Sequence, residues 1–207
     1  HCMLPAMHLA CSGLAPNAKR EDWLKLTSDT SGLRFQMGAL YDLFQKAPIL
    51  GSLINPRADK AVNFGDAISK LQPLMEKALE QEAKDDTAHE IAVTARGLAK
   101  AAEILAGQFT LVATNVPYLG DRKQCVQMKE HLSVYFCAAK ANLATCFVER
   151  SLQFCSNGGT VALVTPQTWL LQTSYTEFRA RALEESQWNL GHFEKLTSSP
   201  SGTWRGL

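Results

Sequence analysis

Three things are scarce in this sequence: surplus charge, long apolar runs and paired cysteines. Lys and Arg number 21 and Asp and Glu 20, leaving a net charge of +1 over 207 residues. That balance excludes a broad polyanion-binding surface, so any nucleic-acid contact is confined to a local patch. No apolar run approaches the roughly 20 residues that cross a bilayer, so no membrane partner is expected. No basic-then-apolar signal peptide stands near the start. The six cysteines, Cys2, Cys11, Cys125, Cys137, Cys146 and Cys155, include no C-x-x-C pair. This argues against a metal site. The last three recur every nine residues, but would share a helix face only if one helix ran through all of them. Buried or half-buried thiols in a reducing cytoplasm are the expectation. The chain opens on His1 rather than Met and closes on an aperiodic, Ser- and Gly-rich Thr197–Gly206. Both ends suggest a piece of a longer protein.

What is present is a globular composition, 46% hydrophobic, and one stretch of special character. Phe109–Ala113 is a short apolar run of the length and branching of a buried parallel strand. It ends at Thr114 and is followed by Asn115-Val116-Pro117-Tyr118 and Gly120. Pro117 lacks a backbone donor, so the chain leaves the ladder there. The carboxyl end of a buried strand in an open α/β sheet is where ligands bind. At that corner the Asn115 amide oxygen accepts hydrogen bonds. The Val116 carbonyl is a second acceptor, stiffened by the proline after it. Tyr118 offers a flat face for stacking. Two acceptors and a ring are what is needed to hold a planar exocyclic amine. Drawing the amine hydrogens toward tetrahedral geometry localises the nitrogen lone pair and makes it nucleophilic.

Asn115-Val116-Pro117-Tyr118 resembles the Asn-Pro-Pro-Tyr motif of AdoMet-dependent N6-adenine DNA methyltransferases. Asn115–Gln124, Lys140–Arg150, Gly158–Trp169 and Tyr175–Leu183 are similar to the corresponding run in the large methyltransferases of BREX phage-defence systems, the PglX type. The resemblance is strong over residues 105–195 and more general before them. It departs at Val116, where the family has Pro; the acceptor there is backbone, so the change costs rigidity rather than the group itself. The resemblance implies a flipped adenine stacked on Tyr118, its amine held by Asn115 and the Val116 carbonyl. It implies double-stranded DNA and other defence subunits as partners and S-adenosyl-L-methionine as cofactor.

Arg122 and Lys123 follow the motif directly and are candidates for gripping phosphates beside a flipped nucleotide; a solvated loop is the plainer alternative. Upstream, Glu21–Leu26 reads as a short helix with Trp23 and Leu26 inward. Leu33, Met37, Leu40 and Phe44 mark an amphipathic helix, and Gly51–Arg57 a loop. Phe64, Ile68, Leu71, Met75 and Leu79 form a stripe broken by Pro73. After a capping box at Thr87–Glu90, Ile91, Ala95, Leu98, Ala102 and Leu105 form another. Together 61–106 read as a helical hairpin whose second helix packs on the sheet and delivers the chain to the key strand. Its basic members, Lys70, Lys77, Lys84, Arg96 and Lys100, are offset by acidic neighbours, so a solvated face is expected.

Downstream, a helix is expected over Gln124–Ala138. Another carries Leu143, Phe147, Ser151 and Phe154 and stops at Asn157-Gly158-Gly159. Thr160–Val164 is a second buried strand, parallel to the first through a right-handed crossover. It brings Gln167, a candidate DNA contact, toward the same sheet edge. A capping box at Ser174–Glu177 opens a helix to about Glu185, and Trp188–Phe193 reads as a further strand.

The expected fold is α/β: the C-terminal half of a Rossmann-like methyltransferase sheet with an inserted helical hairpin. Its parts are an N-terminal segment (1–60), the hairpin (61–107) and the motif-bearing half (108–207). No strand is followed by a Gly-rich cofactor turn. Phe64-Gly65-Asp66 lies on a helical stripe, and Gly158-Gly159 precedes a strand. Ser12 and Gly13, in the turn after a possible strand at 3–10, are the residual cofactor candidates. The isolated chain is therefore expected to be inactive, as part of an adenine-specific methyltransferase. Two alternatives are open: methylation of a glutamine amide or RNA base, and a non-catalytic DNA-binding or assembly module.

Overall fold

The computed structural model describes residues 8–25, 27, 31–58, 86–184, 186–189, 193–195 and 204–206. They fall in two compact units, His1–Thr165 and Pro166–Leu207. The possible strand at 3–10 and the first helix of the expected hairpin lie wholly or mostly outside the described residues.

In the first unit, α1 (Arg20–Lys25), α2 (Ser31–Phe44) and α3 (Ala47–Leu50) precede a 3-10 turn at Gly51–Leu53. A long helix, α4 (Asp86–Ala106), then leads into β1 (Phe109–Asn115). The predicted stripes are the buried faces: Met37, Leu40 and Phe44 on α2, and Ile91, Ala95, Leu98, Ala102 and Leu105 on α4. They close with Trp23 of α1 and Ala47 and Leu50 of α3 into one apolar core. Each large side chain so buried contributes about 1.5–3 kcal/mol. The alanines of α4 let its backbone approach α2 closely. The helix packs there, and another, α6 (Leu143–Phe154), packs on both strands of the sheet. Helix α4, expected on the sheet, has α2 as its main partner among the elements, and α6 is the main helical partner of the strands.

The sheet is a parallel pair. β1 runs beside β2 (Cys155–Val164), with Leu111 opposite Thr160 and Asn115 opposite Val164. The parallel pairing agrees with the crossover argument, but two details differ. Helix α6 ends at Phe154, and Asn157-Gly158-Gly159 is not its stop. The two strands pair Phe109 with Cys155 but Leu111 with Thr160, so the extra residues bulge out of β2. Gly158 adopts φ +75°, and a Cβ on Gly159 would stand 2.7 Å from Cys155 Sγ and 3.0 Å from the Thr110 carbonyl oxygen. Glycine is required at both for steric reasons. The second difference is burial. β1 is exposed along its length except at Val112, which is half-buried. Leu111 is 62% exposed. The apolar run is a strand, as read, but it is not buried.

Between the strands, α5 (Val126–Tyr135) is shorter at both ends than expected. Asn142 caps α6 by accepting from the Ala144 N–H at 2.9 Å. The buried Arg150 of α6 ties the unit together. It donates to the carbonyls of Ser52, Ile54 and Leu105 and to Gln153 Oε1. Its guanidinium also lies 3.9 Å from the centre of the Phe154 ring. Burial, with Arg57's charge adding, lowers Arg150 to about 9; it remains a cation at neutral pH.

The second unit holds α7 (Thr168–Leu171), a 3-10 turn at Thr173–Tyr175, α8 (Thr176–Glu184) and an antiparallel pair, β3 (Phe193–Lys195) with β4 (Trp204–Gly206). The capping box expected at Ser174 is replaced by that 3-10 turn, with Thr176 Oγ1 donating to the Thr173 carbonyl at 2.8 Å. Trp188 is not in a strand; it packs against Trp169 and donates to the Ala182 carbonyl. β4 lies in the segment read as aperiodic.

Candidate active site

Asn115 is the last residue of β1, exposed at its carboxyl end. Val116, immediately after, is only 3% exposed. The buried valine side chain anchors the turn, so the main-chain oxygen that follows is held by packing as well as by Pro117. This explains how the position tolerates losing the family's first proline. Pro117 is exposed, and all described peptide bonds are trans.

Tyr118 is 54% exposed, and its ring is available to a flat ligand. Its hydroxyl lies 3.4 Å from Asn115 Oδ1 and 3.4 Å from the Val164 carbonyl oxygen. One hydroxyl proton serves one acceptor at a time, and both contacts are at the long limit of a hydrogen bond. The Asn115 oxygen is therefore oriented toward the Tyr118 side yet only weakly engaged. β2 ends at Val164 directly opposite Asn115, so both strands end at this edge.

The loop beyond Tyr118 is pinned from one side. Gly120 forms a bridge with Asn142, Asp121 N–H donates to the Ala141 carbonyl, and Leu143 N–H donates to the Leu119 carbonyl. Buried Gln124 closes the loop by donating from Nε2 to the carbonyls of Leu119 (3.2 Å) and Lys140 (3.3 Å). Gln124 was not singled out from the sequence, although it ends the motif-bearing run Asn115–Gln124. Arg150, likewise unnoticed, ends the run Lys140–Arg150. A glutamine and an arginine give no periodic signal, and their acceptors are main-chain carbonyls that no sequence pattern marks.

Arg122 and Lys123 sit in a 3-10 turn, exposed, directly after the motif. Asp121 Oδ1 accepts from Arg122 N–H at 2.8 Å, so the neighbouring carboxylate caps the turn. Gln167 is an exposed residue of the second unit, immediately before α7. Ser12 Oγ is hydrogen-bonded to Ser52 Oγ at 3.0 Å. A Cβ on Gly13 would meet nothing within 4 Å, so no protein neighbour demands glycine there.

Cys11, Cys125 and Cys137 are exposed, Cys155 is half-buried and Cys146 is buried. Cys146 and Cys155 meet the expectation of buried or half-buried thiols; Cys11, Cys125 and Cys137 depart from it. Burial, then the Glu149 charge, pushes the Cys146 thiol up to about 12, so it is inert. Among the described residues no cluster of His, Cys, Asp and Glu suits a metal ion, and no helix is long and apolar enough to cross a membrane.

The model of the Eco57I restriction-modification methylase family matches residues 17–195. The chain belongs to that family. Over 97 residues, 47% of the chain, it is 28% identical to an adenine-specific methyltransferase, PglX, of Lacticaseibacillus casei (strain Zhang). Over 144 residues, 69% of the chain, it is 28% identical to the adenine-specific methyltransferase BrxX of Escherichia coli O9:H4 (strain HS). The matched stretches are 8% and 11% of those proteins. The chain is thus similar to a small part of large methyltransferases of the PglX type. The match to the family model covers the motif, both strands of the parallel pair and the Arg150 clamp.

Proposed function

We propose that this chain supplies the amine-holding part of an enzyme that methylates N6 of adenine in DNA, in bacterial defence against phage. The observation that carries this is the corner at the end of β1: an exposed Asn115 amide oxygen, a main-chain carbonyl held by the buried Val116, and the exposed ring of Tyr118. A flipped adenine stacks on Tyr118. Its N6 hydrogens bond to Asn115 Oδ1 and the Val116 carbonyl oxygen, the first displacing the long contact from the Tyr118 hydroxyl. Two such acceptors pull the nitrogen toward tetrahedral geometry. Its lone pair is then withdrawn from the ring and directed outward. The corner needs no strong general base: the bound sulfonium cofactor would supply the methyl group and leave as a neutral thioether, and the cationic nitrogen so formed would lose its proton to water.

Arg122 and Lys123 hold phosphates flanking the extruded nucleotide, and Gln167 contacts DNA from the second unit. S-adenosyl-L-methionine is the methyl donor the family implies. The sequence has no Gly-rich turn following a strand of the kind that cradles it, so the 207 residues alone are expected to transfer no methyl group.

The test is tritiated methyl transfer to DNA, RNA and protein by the full-length protein and its Asn115→Ala variant. Transfer to DNA adenine is expected, with the variant losing roughly a hundredfold or more, on the scale of removing one preorganised polar group. Circular dichroism should show its fold intact. A folded variant that keeps its turnover would remove Asn115 from the mechanism. Transfer to RNA or protein in place of DNA would redirect the substrate.

A further inference from the structure

A cavity of about 590 Å³ lies in the first unit, away from the Asn115 corner. Its walls come from α2, α3, the turn at 51–58, the end of α5 and the end of α6. Gln153 in its wall precedes the start of β2, whereas Asn115 ends β1; the length of a strand, about 20 Å at roughly 3.3 Å per residue, separates the two levels. The size is that of a small-molecule site.

The lining has a definite chemistry. Leu50, Leu53, Ile54 and Phe136 give an apolar floor. Phe35 and Tyr135 line the same space yet are 60% and 51% exposed, unusual for rings with an adjacent apolar wall to cover them. Of the charged groups, Arg20 and Asp42 neutralise each other through a two-pronged ion pair of 3.0 and 3.1 Å. Lys46 has no such partner among the described residues. The Gln153 Oε1 already accepts from Asn55 and Arg150, which leaves the amide N–H pair as the side chain's remaining hydrogen-bonding group.

From these groups we infer that the cavity binds a flat anion, an aromatic or heteroaromatic ring carrying a phosphate or carboxylate. The ring stacks on Phe35 and Tyr135 over the apolar floor, and the acid meets Lys46 with help from the Gln153 amide. One lysine in excess of a closed Arg–Asp pair selects for one acidic group, and two exposed rings, that of Tyr135 backed by His131 with centroids 4.6 Å apart, select for a planar body. The site is independent of the methylation mechanism, since it uses none of its residues.

Titration calorimetry on the full chain tests this with two probes, guanosine 5′-monophosphate and indole-3-acetate. Guanosine and ribose 5-phosphate serve as single-feature controls. At least one acid-bearing ring should bind with a dissociation constant below about 1 mM, and the matching control should bind roughly tenfold more weakly. Lys46→Glu and Phe35→Ala, both at exposed positions, should each weaken binding by a similar factor, whereas Asn115→Ala should leave it unchanged. The nucleotide binding and the indole acid failing, or the reverse, identifies the acid the site prefers. Neither acid binding, or binding indifferent to both Lys46→Glu and Phe35→Ala, would overturn the inference.

Discussion

At the scale of the residue, the Asn115 corner is marked by a polar group that the fold engages only weakly. Buried acceptors are ordinarily saturated; here an exposed amide oxygen is shared at 3.4 Å with a phenol that has another acceptor equally near. The weak contact orients the oxygen without consuming it. The proposed mechanism gives Tyr118 two roles that substitution separates. In the full-length protein, Tyr118→Phe keeps the stacking face and loses only the long contacts, so methyl transfer should fall by less than roughly tenfold. Tyr118→Ala removes the face. Base–aromatic stacking is worth about 1–3 kcal/mol, so kcat/KM should drop by roughly 10- to 100-fold. Equal effects of the two substitutions would show that the hydroxyl, rather than the ring, matters.

His131 presents a second residue-scale case. It is half-buried at the cavity wall, against Tyr135 and Phe136, and its Nε2 is buried without a hydrogen-bond partner. Burial holds its pKa below the ordinary value; the Leu53 carbonyl opposes this, and the charge of Lys46 adds to it. Arg20 and Asp42, the other charged groups around the cavity, are paired with each other. The unfolded chain binds a proton near pH 6.5, while the folded chain does so only at lower pH. Below about pH 6.5 the unfolded state therefore holds more protons, and stability falls as the pH drops. Urea midpoints measured from pH 7.5 to 5 should decline, and His131→Phe should flatten the part of the decline due to this group. An unchanged slope in that variant would assign the acid sensitivity elsewhere.

At the scale of the element, α6 is the organiser. Its N-terminus is capped by Asn142, beside the segment that pins the motif loop. One turn from its C-terminus Arg150 gathers carbonyls from the 51–54 turn and from the end of α4, just before β1. A single guanidinium therefore fixes the entry of the chain into the key strand. Arg150→Met would fill much of the volume but leave those carbonyls without donors. Each acceptor left buried without a donor costs about 1–3 kcal/mol, a loss seen as a lowered denaturation midpoint. Arg150→Lys offers one compact ammonium in place of a planar fork and should recover only part of it. Full stability of Arg150→Met would mean the carbonyls find water instead.

The elements also mark where pattern reading succeeds and fails. The stripes of α2 and α4 were legible because their buried faces repeat at helical spacing and because one side of each helix meets a continuous core. The Asn157-Gly158-Gly159 stretch was misread as a helix stop. Glycine at positive φ serves both a helix terminus and a bulge, and only the pairing of Leu111 with Thr160 distinguishes them. β4 was missed because a three-residue strand has no room to show a period. Trp188 was drawn into a strand because its apolar character suits a strand and a capping indole equally; its N–H bond to Ala182 decides the matter.

At the scale of the whole molecule, the helical side has a closed core while the sheet does not. Phe109, Leu111 and Val164 are all exposed on the two-stranded pair. Parallel sheets are ordinarily covered on both faces, and isolated strand pairs are marginal. The isolated chain should therefore self-associate through this surface. Sedimentation velocity should show concentration-dependent association, reduced by Leu111→Lys, which places a charge on the open face. A monomer at all concentrations would show that the exposed strands are tolerated as they stand.

Local order in the chain was enough to determine the periodic helices, the strand that opens at Phe109 and its parallel partner through a helical crossover. These depend on spacing and on the stereochemistry of single residues, which a linear sequence carries. Tertiary structure alone decided that β1 is exposed, that α4 packs mainly on α2, and that Gln124 and Arg150 hold the site from behind. Burial and main-chain hydrogen bonding to distant carbonyls depend on which segments meet in space, and no residue announces its partner a hundred positions away.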